Sequence, residues 1–314
     1  MEVILGVDVS SQKLDACLES PKHAKPMFKT VAYTSEGCKK LLTWANRHKV
    51  SRCAMEATGG YEFTIAQLIM KAGIKLYIAN PNRIRHFAKG DGILAKTDKI
   101  DAFVIAEFAR KSNLPAAYEA SPVQIELKQL IGRRIELKKS LQVEKCRMNL
   151  ASGAILQSHE NLVAAINLEV EQIDSLIDAL EMQHPDIEQK TRILCQQKGV
   201  GKATARALIA LVPELGQIDR RKIASLVGLA PIVKESGKMK GKRFISGGRY
   251  EARRCLYMPA WVATQYDPEI GAFYQRLVEN GKPKKVAIAA VMRKLLVRLN
   301  AQMRNHLSLS TKST

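Results

Sequence analysis

Four carboxylates stand where the apolar pattern of this chain gives way to polar residues. They are Asp8 in ILGVDVSSQKLD, Glu56 in CAMEATGGYE, and Asp98 with Asp101 in AKTDKIDAF. Each closes an apolar strand-like run or opens a helix, so a fold can gather them in a polar cleft beside its core. Converging carboxylates repel one another, and keeping them ionised requires a compensating cation. The donors are oxygen only, with no cysteine or histidine cluster nearby, which points to Mg2+ or Mn2+.

The remainder of the chain is basic. Lys and Arg number 50 against 30 Asp and Glu, a formal charge of +20 over 314 residues. Such an excess favours a polyanionic partner, either nucleic acid or an anionic membrane surface. No apolar run reaches 18 residues and no basic-then-apolar leader follows Met1, so membrane and secretory readings fall away and nucleic acid is favoured. The six cysteines are scattered without a CxxC pair. They read as free thiols of a cytosolic protein.

Along the chain, EVILGVDV, LDACLES and MFKTVAYT predict three antiparallel strands with tight connections. Helical spacing over 36–48, a strand at RCAMEAT, a helix over 61–72 closed by Gly73, and a strand at KLYIANP ended by Pro81 follow. With a helix over 98–111, this is an α/β layer of mixed pairing. From about 121 to 183 strand patterns vanish. Ile166, Val170, Ile173, Ile177 and Leu180 form an a/d seam, and Leu127, Leu130, Leu137 and Leu141 form a weaker one. Two long antiparallel helices, broken around Ser152–Glu160, would make a protruding arm. A mainly helical region begins near 191, interrupted by a Gly- and Lys-rich stretch at 232–248. The expected division is 1–118, 119–188 and 189–314.

Asp98 and Asp101 are three residues apart at a helix start, so both can project from one face of the first turn. The same spacing suits a cap, with Asp98 as N-cap and Asp101 at N3. Asp8 alone suits a turn aspartate. Glu56 interrupts an apolar strand before Gly59-Gly60 and either meets solvent or lines a cleft.

Further on, Ser236 lies in KESGKMKGK among Lys238, Lys240, Lys242 and Arg243, with Arg249 and Arg253 close behind. Glycines there leave amides free to meet a phosphate. A hydroxyl among cations is well placed to attack phosphorus. Ser246, Tyr250 and Tyr257 share that setting, and spacing does not separate the four. Upstream, KGVGKATA sets Lys198 and Lys202 around a glycine turn before a helix. That is the pattern of a helix-hairpin-helix phosphate holder, or of a plain turn between packed helices.

In order, GVDVSSQKLD, MEATGGYE, KTDKIDAFVIAEFAR, GVGKATA, GLAP, ESGKMKGK and RRCLYMPAWVAT resemble the DEDD transposases of the insertion sequence one-ten family, to which Piv-type DNA invertases are related. The likeness covers nearly the whole chain. It implies an α/β RNase H/RuvC-like N-terminal domain with Asp8, Glu56, Asp98 and Asp101 as the acidic tetrad. A coiled-coil helical arm and a mainly α C-terminal domain with a helix-hairpin-helix element follow from it, with Ser236 as nucleophile. It also implies Mg2+ or Mn2+, donor and target double-stranded DNA, a non-coding bridge RNA, and homodimers or homotetramers. Location would be cytoplasmic, on the nucleoid when acting. Rival readings are a site-specific invertase, a RuvC-like junction nuclease in which water attacks, an actin-like phosphotransferase, and a non-catalytic nucleic-acid scaffold.

Overall fold

The computed structural model describes residues 2–20, 25–57, 60–95, 97–112, 121–233, 235–236, 239–241 and 243–310. They form two compact units, Met1–Glu119 and Ala120–Thr314. Among the described residues no helix is long and apolar enough to cross a membrane.

The first unit runs β1 (Ile4–Val9), β2 (Lys13–Glu19), β3 (Met27–Ala32), α1 (Ser35–Arg47), β4 (Arg52–Glu56), α2 (Glu62–Lys71), β5 (Lys75–Ala79), α3 (Pro81–Gly90) and α4 (Asp98–Lys111). The sheet order is β3-β2-β1-β4-β5. β1 pairs antiparallel with β2, and β2 with β3, whereas β1–β4 and β4–β5 are parallel. This is the α/β layer of mixed pairing that the sequence suggested. Alternation divides its two faces. Leu5, Val7, Val9, Leu14, Leu18, Met55 and Leu76 pack with Leu41 of α1 and Ile65 and Ile69 of α2. Ile4, Ala54, Tyr77 and Ala79 meet Ile84 of α3 and Val104, Ile105 and Phe108 of α4 on the other side. Central strands covered on both faces read as near-continuous apolar runs, which is why an acid at their ends stands out.

α3 is a difference from the sequence analysis, which ends a strand at Pro81 and predicts no element between it and the helix at 98–111. Its start is a cap: the Asn80 side chain accepts from the Asn82 amide at 2.9 Å, and Pro81 occupies the first turn. A proline there loses nothing, because that amide has no helical partner anyway.

The second unit is built mainly of helices. α5 (Pro122–Met148) and α6 (Gly153–Gln183) are followed by α7 (Pro185–Cys195), α8 (Lys202–Leu211) and α9 (Arg220–Val227). Four two-residue strands come next: β6 (Pro231–Ile232), β7 (Glu235–Ser236), β8 (Met239–Lys240) and β9 (Phe244–Ile245). The chain ends on α10 (Tyr250–Cys255), α11 (Tyr257–Tyr266), α12 (Pro268–Glu279) and α13 (Lys284–Ser310).

α5 and α6 form an antiparallel hairpin. Arg134 pairs with Asp174 at 2.5 Å, and nearer the turn Glu144 meets His159 at 2.7 Å. Leu137, Leu141, Ile166 and Val170 fill the seam between them. At the other end Leu127, Ile131, Ile177 and Leu180 join the core of α7–α13. The break between the two helices is shorter and earlier than the sequence suggested. Residues 153–160 are helical, and the chain turns through 149–152 with Gly153 at φ 56°. A buried ion pair ties α6 to α8, with Arg206 bonded to Asp178 at 2.5 Å and to Glu181.

Candidate metal centre

Asp8 leaves the sheet on β1, at the polar end of the face that α4 covers. Pleat alternation puts it on the side of Ile4 and Gly6, and its antiparallel partner is Asp15. Gly6 decides how near α4 can come. A Cβ there would lie 2.3 Å from the Ala102 carbonyl oxygen and 2.5 Å from the Ala106 nitrogen. The helix backbone rests on bare strand, and its first turn is thereby carried to Asp8. Further along, Arg110 holds α4 to the sheet, bonding Glu107 at 2.6 Å and reaching Glu19 of β2 at 3.4 Å.

The result is a convergence of Asp8, Asp98 and Asp101, which offer carboxylate oxygens all within 4.8 Å of one another. Asp8 and Asp101 are half-buried and Asp98 is exposed. Glu56 ends β4, the parallel neighbour of β1. It lies outside the group of three, yet its charge acts on Asp8. The Asp8 carboxyl is pushed up to about 6, first by burial and then by the charges of Asp101, Glu56, Asp98 and Asp15.

The capping alternative does not describe α4. Thr97 is the N-cap, its side chain accepting from the Ile100 amide at 3.3 Å, and Asp98 stands at the first helical position. Removing the cap with Thr97→Ala is expected to cost about 1 kcal/mol in chemical denaturation. Divalent-ion affinity should weaken with it, because the first turn carries two of the acids.

Sequence reasoning missed one residue of the site. The Lys13 ammonium lies 2.5 Å from Asp98 Oδ2 and 3.0 Å from Asp15 Oδ2. Hydrogen bonds to Asp98 and then Asp15 hold it above the usual lysine range. Asp15 in turn accepts from the Thr30 hydroxyl at 2.5 Å. The available signal was register: Lys13 is two residues before Asp15 on the same strand face, next to the end of β1.

The donor set suits a hard divalent ion. Three carboxylates, whose Asp8 member is lifted first by burial and then by its acidic neighbours, offer oxygen ligands and negative charge. Those are the requirements of Mg2+ or Mn2+.

In the second unit, Lys198 and Lys202 are exposed on either side of the glycine turn between α7 and α8. Gly199 has φ 89°, and a Cβ there would lie 2.6 Å from the Pro259 carbonyl oxygen of α11. The turn is therefore seated on α11. Arg243 is exposed. Ser236 and Lys240 lie on the β7–β8 ribbon, where Ser236 pairs with Met239; Lys238 and Lys242 fall outside the described residues. Arg249 and Arg253 are engaged within the fold. Arg249 makes a two-pronged bond to Glu214 at 2.5 and 2.6 Å. Arg253 donates to the carbonyls of Gly247, Val227 and Gly228 at 2.5, 3.3 and 3.3 Å. Together they fasten both ends of the 228–248 excursion that carries Ser236. Of the rival nucleophiles, Ser246, Tyr250 and Tyr257 are exposed.

Residues 5–151 match a family model described as a transposase, and residues 191–275 match the transposase IS116/IS110/IS902 family. The pilin gene-inverting protein of Moraxella lacunata is 30% identical over 301 residues, covering 93% of this chain and 92% of that protein. Its counterpart in Moraxella bovis matches to the same extent. The IS110 insertion-element protein of Streptomyces coelicolor is 26% identical over 153 residues, 48% of this chain and 37% of that protein. A solved structure of T. thermophilus RuvC in complex with a Holliday junction substrate overlaps 37% of this chain and all of that one, at 15% identity and a TM-score of 0.29. With an acid cluster at the end of β1 and relatives matched almost end to end, the chain belongs to the IS110/IS116/IS902 family of transposases, enzymes that recombine DNA.

Proposed function

We propose that this protein is an insertion-sequence transposase that cuts and rejoins DNA through a covalent phosphoserine at Ser236. The observation that carries the reading is the convergence of Asp8, Asp98 and Asp101 at the end of β1. These three, with Glu56 beside them, would hold Mg2+ or Mn2+. Such an ion, when bound, supplies Lewis-acid stabilisation to the attacking and leaving oxygens of a phosphodiester.

The protein's own groups do the rest. Ser236 Oγ loses its proton and forms the bond to phosphorus; the bond to the 3′ oxygen breaks, and that oxygen leaves as a hydroxyl after taking up a proton. One phosphoester replaces another, so the strand is rejoined by the reverse step without ATP. Lys198, Lys202, Lys238, Lys240, Lys242 and Arg243 meet backbone phosphates, a sequence-independent contact. The α7–α8 turn acts as the helix-hairpin-helix holder. Arg249 and Arg253 serve DNA binding by bracing the excursion that bears the serine. The α5–α6 hairpin is a coiled-coil arm between an acid domain at 1–118 and a serine domain at 189–314.

Donor and target duplexes are the substrates, a bridge RNA is the guide, and the chain acts as a dimer or tetramer. Within that assembly the acids of one subunit are completed by the serine of another. The charge of +20 suits a protein that binds both nucleic acids.

The test is to incubate the protein with DNA carrying the element's ends and Mg2+, then denature. The expected result is a cleaved strand still attached to protein, with the nucleotide mapped to Ser236 and no product in EDTA. Free 5′ phosphates would favour attack by water and overturn the serine assignment. Sequencing the RNA that co-purifies tests the guide. A second reading, a site-specific invertase, draws on the 30% identity to the pilin gene-inverting proteins. It shares the chemistry and is distinguished by whether the products are inversions or insertions.

A further inference from the structure

We propose that the Lys13 ammonium is the built-in counter-ion of the acid cluster, holding Asp98 in place while no divalent ion is bound and giving it up when one binds. This inference rests on the acids being a metal site.

Lys13 opens β2 directly after a tight turn. Its amide donates to the Ser10 hydroxyl oxygen at 3.1 Å, and the same hydroxyl donates to the Lys13 carbonyl at 2.9 Å. The stem of the side chain is therefore fixed at the sheet end where Asp8 emerges. From there the ammonium spans to the first turn of α4, 85 residues later in the chain. It neutralises part of a charge cluster that would otherwise push α4 away.

The two partners differ in a way that suggests order. The Asp15 side chain is 7% exposed and is also held by Thr30, whereas that of Asp98 is 57% exposed. Asp15 is the permanent anchor and Asp98 the exchangeable contact. A divalent ion bound to either oxygen of the Asp98 carboxylate, at roughly 2.1 Å, would stand close to an ammonium that lies 2.5 Å from Oδ2, and the two cations would repel each other. Lys13 then swings away from Asp98 on its Asp15 anchor. It is a positioning residue, acting through Asp98.

The test compares Mn2+ affinity by calorimetry and Tm, with and without saturating Mn2+, for wild type, Lys13→Met, Lys99→Met and Asp8→Asn. Lys99 is the charge control, exposed and adjacent to Asp98. Expected for Lys13→Met is roughly tenfold tighter Mn2+ binding, because a competing cation is gone. Its Tm should fall without the ion and return to the wild-type value at saturation, while Lys99→Met changes neither by as much. A Tm deficit that persists at saturating Mn2+ would mark Lys13 as a simple strut and overturn the proposal. So would unchanged or weaker affinity, or an equal effect from Lys99→Met. If wild type binds Mn2+ no better than Asp8→Asn, the metal site itself fails, and the Lys13 proposal with it.

Discussion

Asp8→Asn is expected to abolish divalent-ion-dependent strand cleavage while making the ion-free protein more stable. A metal ion contributes several kcal/mol to a phosphoryl transition state, and each 1.36 kcal/mol is tenfold in rate, so loss of a ligand at its centre is worth roughly 10^3-fold or more. The stability change has the opposite sign because the Asp8 carboxyl is raised from 3.8 to about 6 by burial and by Asp101, Glu56, Asp98 and Asp15. A carboxyl held more tightly protonated in the folded state favours folding at pH below its unfolded value. That contribution is lost as pH rises through about 6. At neutral pH the ionised group opposes folding, and a neutral amide of the same shape removes the opposition. Thermal melts with EDTA across pH 4–8 check this: wild type should lose stability through that window more steeply than Asp8→Asn. A destabilised variant with a flat difference would make Asp8 a structural acceptor instead.

The second large effect is expected at a residue with no chemistry of its own. Gly6→Val places a branched side chain where the backbone of α4 already lies, 2.3 Å from the Ala102 oxygen. Neither partner is a flexible side chain, so helix and sheet must separate. Overpacking typically costs about 1–3 kcal/mol, and contact with rigid backbone lies at the upper end. The functional loss should exceed the loss of stability, because Asp98 and Asp101 ride on the displaced helix while Asp8 stays on β1. A variant still folded by circular dichroism, bound to DNA, but without Mn2+ affinity or cleavage is the expected outcome. Gly6→Ala should give a weaker form of the same result. Full Mn2+ affinity in Gly6→Val would show that the acids converge without the close approach.

Much of this was legible beforehand. The apolar run ILGVDV and the apolar spacing of KIDAFVIAEFA carried enough information for β1 and for α4, whose residues 98–111 are those expected. Periodicity is a local property, and these segments are long and regular. The misses have local or long-range causes. α3 was hidden because Pro81 can end a strand or start a helix, and only the bond from Asn82 to Asn80 decides between them. The α5–α6 break was misplaced because Gln157, Ser158 and Glu160 face solvent on α6 and His159 bonds Glu144 of α5, so polarity there is compatible with helix.

At the candidate site, the acids announce themselves as charges at the ends of apolar runs. Lys13 does not, being one of 50 basic residues with its partner on a distant helix. The same difficulty touches Arg249 and Arg253, whose partners Glu214 and Gly247 can be found only once the chain is folded. Charge in a sequence reports an attraction to something; geometry says to what.

The most direct measurement is anomalous diffraction from a crystal of the wild-type protein soaked in Mn2+. A peak within bonding distance of Asp8 and at least one of Asp98 and Asp101, with Lys13 turned away from Asp98, is the expected result. A map in which Mn2+ binds elsewhere, and Lys13 keeps its bond to Asp98 at saturating ion, would contradict the metal centre.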